Sequence, residues 1–175
     1  MFLLIWRIHN YDTGASQTLY FTASSIGTFM EFATDNLIAR VLLTLVTLGY
    51  SLMPVLADFN KTHATNPLWT PHARFHVVWQ VSSYCGIGLI ALVLIWTSGP
   101  VTKLWLAVAL AAAMYGGFFA TAFTMPRFGG RLADENGVPP LGTVNLGGRP
   151  VVLDANLTVF GVLVAILVVA ALLIR

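Results

Sequence analysis

Two histidines stand four residues apart in the segment His72-Ala-Arg-Phe-His76. On a helix this spacing puts both imidazoles on one face, close enough to chelate a divalent metal or to exchange a proton. His63 and Asp58 lie shortly upstream, in a polar connection that could bring them to the same place. A neutral imidazole beside a carboxylate titrates near neutral pH and serves as general base or acid. The residue types therefore suggest His72, His76 and Asp58 as catalytic groups, with His63, His72 and His76 as ligands of a divalent metal. A reading without chemistry stays open, in which the same groups only hydrogen-bond a loop to the helix ends.

Further polar residues would surround a substrate. Gln80 and Tyr84 carry the histidine stripe along the chain, and Asn60 and Arg74 flank it. The pattern Asp58-x-Asn60-x-Thr62 recurs as Asp154-x-Asn156-x-Thr158, which adds Asp154 and Asn156 as candidates. Asp154 has a second use as the N-cap of a following helix. Arg127, with Arg131 and Arg149, could hold an anionic headgroup or a carboxylate.

The elements that must position these groups are membrane helices. Of the 175 residues 57% are hydrophobic and 9% charged, against roughly 25% charged in a soluble domain. Four stretches, 37–56, 77–96, 104–123 and 157–174, are long and apolar enough to cross a bilayer, which takes about 20 residues each. The expected fold class is all-α, an integral, multi-pass bundle of four transmembrane helices spanning 36–175. Residues 1–35 read as an N-terminal tail, in which 19–32 suits an interfacial helix. The net charge of +2 gives no reason to expect nucleic acid, and the single cysteine, Cys85, excludes a disulfide within the chain. Membrane lipid is the expected partner, with a hydrophobic small molecule or a second copy of the chain also compatible.

Within this frame the first span carries Asn36, Arg40, Thr44, Thr47, Ser51 and Asp58 in an arc of about 80°. His72, His76, Gln80 and Ser83 follow the same spacing in the second. Polar groups facing acyl chains lose hydrogen bonds that nothing replaces, so both stripes are expected to turn inward and form a polar seam. Arg40, near the start of its span, is expected to snorkel to the headgroups. Thr70-Pro71 should cap the second span. The third span has Ala109, Ala113 and Gly117 at four-residue intervals, a spacing that lets helices approach closely. Residues 125–154 read as a long loop. Basic residues divide five (Lys61, Arg74, Arg127, Arg131, Arg149) against four (Arg7, Arg40, Lys103, Arg175) across the membrane, so charge does not fix the orientation.

The stretch from Ala57 to His76, with its Asn-Pro-x-Trp-x-Pro-His-Ala-Arg-Phe-His core, and the later Asp154-Ala-Asn-Leu-Thr158 resemble an uncharacterised family of small four-span membrane proteins from bacteria and fungi. The likeness covers residue 36 to the end and implies architecture without a reaction. Three functions follow from the residues themselves: an enzyme acting on a hydrophobic small molecule by proton transfer or with a metal, a lipid or small-molecule binding protein, and a subunit of a membrane complex.

Overall fold

The computed structural model describes residues 36–132 and 139–175. The tail and its interfacial helix lie outside the described residues, as do Asp134 and Glu135 of the long connection.

Among the described residues, four helices are long and apolar enough to cross a membrane, at Leu37–Asp58, Pro71–Trp96, Thr102–Phe128 and Ala155–Leu173. The chain is thus built as a multi-pass helical membrane protein. Its first span consists of α1 (Leu37–Ser51) and the short α2 (Met53–Asp58). The break at Leu52 follows from Pro54, which has no N–H to give the carbonyl four residues back. Helix α3 (Pro71–Trp96) opens on Thr70, whose hydroxyl accepts from the Ala73 N–H at 3.2 Å, as the Thr-Pro pair foretells. Helix α4 (Thr102–Thr124) follows a short turn and ends in a 3₁₀ turn, Met125–Phe128, closed by Gly129 at φ +68°. Helix α5 (Ala155–Leu173) is capped by Asp154, which accepts from the Leu157 N–H at 2.9 Å.

The 125–154 connection is more ordered than a plain loop. It holds an antiparallel hairpin, β1 (Gly142–Leu146) with β2 (Arg149–Leu153), paired from Gly142 against Leu153 to Leu146 against Arg149. Its two-residue turn is Gly147-Gly148, with φ +57° and +82°. Positive φ at both positions is what a hairpin turn matching strand twist requires, and glycine adopts it without a Cβ penalty.

The core gathers around α1. Leu43, Val46 and Tyr50 pack with Ile95 of α3, with Leu104, Ala107, Ala111 and Tyr115 of α4, and with Leu167 and Ala170 of α5. Close approach is set by two glycines. A Cβ on Gly49 would stand 2.4 Å from Leu163 Cδ1, and one on Gly88 would stand 2.5 Å from Ser51 Cβ. The Tyr115 hydroxyl ties α4 to α1 by donating to the Val46 carbonyl at 2.7 Å. Arg40 meets Ile95 while Ser51 meets Gly88, so the first two spans run antiparallel.

The small residues expected to bring the third span into close contact face the other way. Ala109, Ala113, Gly116 and Gly117 are exposed, and a Cβ on either glycine would meet nothing within 4 Å. The packed face is Ala107 and Ala111, two residues and so about 200° around the helix. The central element is α1 instead, with eight residues buried, among them Arg40, Thr47 and Ser51.

Candidate functional site

Helix α3 has 26 residues, about 39 Å at 1.5 Å per residue, against a hydrocarbon core of about 30 Å. Its C-terminal end is tied to α4 by a short turn, and Trp96 and Trp105 mark that boundary. His72 and His76 stand in the first two turns of α3, between Trp69 and Trp79 in the chain, with Gln80 one turn further along.

There the two imidazoles face each other edge to face, ring centroids 4.5 Å apart, with their Nε2 atoms separated by 3.0 Å. In this contact one ring nitrogen donates and the other accepts. Phe75 stacks on His72 at 6.4 Å between centroids, and Trp79 lies 5.9 Å from His76. One turn on, the Gln80 amide donates to the Tyr84 hydroxyl at 2.6 Å. The i, i+4 spacing thus places the residues as the sequence suggests, and pairs them along one helix.

The direction of this stripe corrects the sequence reading. His72, His76, Gln80 and Ser83 are exposed on the outer face of α3, while Thr47 and Ser51 of α1 are buried. The two stripes do not meet in a seam. Each satisfies itself locally instead: Thr44 donates back to the Arg40 carbonyl at 2.8 Å and Ser51 to the Thr47 carbonyl at 2.7 Å. Such bonds to the preceding turn free hydroxyls from needing a partner helix. Arg40 departs from expectation as well. It is buried rather than snorkelling, and its guanidinium donates to the Ile95 carbonyl. That carbonyl belongs to the last turn of α3, where no helical N–H remains to pair with it and the helix dipole favours a cation.

Asp58 and His63 form a separate pair. The His63 Nδ1 lies 3.7 Å from Asp58 Oδ1 and 2.7 Å from the Thr62 hydroxyl. The Thr62 hydroxyl and backbone N–H both donate to Asn60 Oδ1, at 2.5 and 2.7 Å. The Thr62 hydroxyl thus sits between Asn60 and His63 and links the two. Asn60 in turn donates to the Ala57 carbonyl at 2.8 Å, closing α2. Sequence reasoning missed the anchor of this connection, Asn66. Only 1% exposed, it donates to the Thr62 carbonyl and accepts from the Leu68 N–H, both at 2.9 Å. The signal was present in Asn66-Pro67, since an asparagine that bonds the backbone two residues on makes an Asx turn.

Among the described residues, no group of three or more His, Cys, Asp and Glu converges to hold a metal. His63 does not complete the expected three-histidine set, because it is turned to Asp58, Thr62 and the Trp69 ring. Asp154 acts as a cap, and Asn156 sits half-buried in the following turn. Arg74 is half-buried on α3, whereas Arg127 is exposed on the 3₁₀ turn.

Compared with protein-family models, curated proteins and solved structures, the chain matches none.

Proposed function

We propose that this chain is a membrane-embedded binding protein for an amphiphilic small molecule, seated on the outer face of α3 in its N-terminal half. One observation carries the reading. A helix long and apolar enough to cross a membrane exposes His72, His76, Gln80 and Ser83 along one face of its N-terminal half. Pairing within the helix leaves bonding capacity unused: the outer imidazole nitrogens, the Gln80 carbonyl and the Tyr84 O–H. An amphiphile with an oxygen-bearing head would supply those bonds, and its apolar body would lie against the Phe75 and Trp79 rings. The likeness of residues 57–76 and 154–158 to small four-span membrane proteins accords with this architecture and belongs to the same proposal.

Mass spectrometry of small molecules retained by gently purified protein tests it. The His76→Ala, Gln80→Leu variant should lose an amphiphile that the unaltered chain keeps. An identical complement in both sinks the reading.

Acid–base catalysis on such a molecule is the second reading, favoured by the His72–His76 contact in which a proton already lies between two bases. Conversion of the retained amphiphile by the unaltered chain, abolished in His72→Ala, would decide for it over simple binding.

A further inference from the structure

We infer that His72 and His76 alone form a bidentate site for a divalent late transition-metal ion, at the outer surface of α3. The inference goes beyond amphiphile binding and does not depend on it.

The argument is geometric. Metal–imidazole bonds are about 2.0–2.1 Å long, and two such bonds spanning the observed 3.0 Å meet at about 90–100°. That angle fits neighbouring positions of a square-planar or octahedral ion and falls short of the tetrahedral value. Tetragonal geometry with nitrogen and oxygen ligands is the preference of Cu²⁺ and Ni²⁺, and affinity rises along the series to Cu²⁺ before dropping at Zn²⁺. Hard ions such as Mg²⁺ and Ca²⁺ call for oxygen ligands and find none in the pair.

The scaffold is set in advance. His72 lies in the first turn of α3, held by the Thr70 cap and by Pro71, and His76 one turn on. The two Nε2 atoms stand 3.0 Å apart on one helix face, and an ion bonded to both takes the place of the shared proton, off the line that joins them. Both side chains are exposed, leaving the other coordination positions open to water. The helix N-terminus carries partial positive charge that works against a cation, but the effect fades within the first turn and His76 stands beyond it. Arg74, two residues from each histidine, is about 200° around the helix from both.

The chain has four histidines, and this makes a clean test possible. Full-length protein without an affinity tag would be titrated with Cu²⁺ in mild detergent, with binding followed by calorimetry and by nitrogen couplings in the electron paramagnetic resonance spectrum. A His9→Ala, His63→Ala background retains only the proposed pair. It should bind one Cu²⁺ within about twofold of the original affinity and show two imidazole nitrogens. Adding His76→Ala should weaken binding at least tenfold and leave one nitrogen, with the thermal midpoint unchanged. Loss of the site in the His9→Ala, His63→Ala background would overturn the inference, as would full binding after His76→Ala. Amphiphile retention, measured separately on chelator-treated protein, keeps a failure of this inference apart from a failure of the binding proposal.

Discussion

The Arg40 guanidinium donates to the carbonyl of Ile95, joining the start of the first span to the end of the second. The bond has a reason at both ends. Ile95 lies in the last helical turn of α3, where carbonyls lack a backbone partner, and Arg40 is 5% exposed and needs acceptors. Nearby, the Trp96 indole donates to Thr44 at 2.9 Å, so two side-chain bonds fasten this end of the helix pair.

Arg40→Met should therefore destabilise the protein by about 1.5–3 kcal/mol, the range for a hydrogen bond to a charged group. Thermal unfolding in mild detergent measures this. Arg40→Lys should recover part of the loss, since its single ammonium can still reach a carbonyl but lacks the planar fork. A midpoint unmoved in Arg40→Met would mean that the Ile95 carbonyl is satisfied without it.

The glycines divide into two kinds, which gives a paired expectation. Gly88→Ala pushes a methyl to within 2.5 Å of Ser51 Cβ, an atom fixed to the backbone that no rotamer change can remove. Overpacking of this sort costs about 1–3 kcal/mol. Gly117→Ala meets nothing within 4 Å and replaces a poor helix former, so stability should hold or rise slightly. Equal effects of the two would contradict the outward orientation of the small-residue face of α4.

How much of this could be read in advance depends on what each residue signals. Hydrophobic runs located all four spans, and Thr70 and Asp154 announced their caps, because both signals are local. The Gly147-Gly148 turn is hidden inside a long polar connection, where only the strand before it, Gly142–Leu146, alternates and the one after it, Arg149–Leu153, does not. The direction of the α3 stripe was misjudged for a deeper reason. Periodicity shows which residues share a face and is silent about where that face points. The assumption that solvation cost drives polar groups inward overlooked pairing along one helix, which lets His72 with His76 and Gln80 with Tyr84 offset part of that cost while facing outward. Arg40 was placed at the headgroups for want of a visible acceptor, and its acceptor is a carbonyl 55 residues away.

Asn66 should prove the most sensitive residue of the 59–70 connection. Asn66→Ala removes the part-buried bonds to the Leu68 N–H and the Thr62 carbonyl, at about 0.5–1.5 kcal/mol each. Asn66→Asp keeps the acceptor for Leu68 but buries a carboxylate with one oxygen against the Thr62 carbonyl, and should cost more. Protease cleavage within 59–70, timed on the folded protein, would rise in the order original, Ala, Asp. Cleavage equal in all three would show that the turn is held by its backbone alone.

The last expectation concerns which way the polar stripes face, on which the candidate site depends. In a Cys85→Ser background, a cysteine at position 76 should react quickly with a water-soluble maleimide, because His76 is exposed in the second turn from the N-terminal end of α3. A cysteine at position 47 should stay unmodified until the protein unfolds, since Thr47 is 1% exposed beneath α3. The reaction also reads the neighbourhood of the histidine pair. If Cu²⁺ sits between His72 and His76, labelling of a cysteine at 75, beside the pair, should slow when the ion is added, and labelling at 68 should not. The reverse order at positions 47 and 76 would turn the stripes around and place the site back inside the bundle.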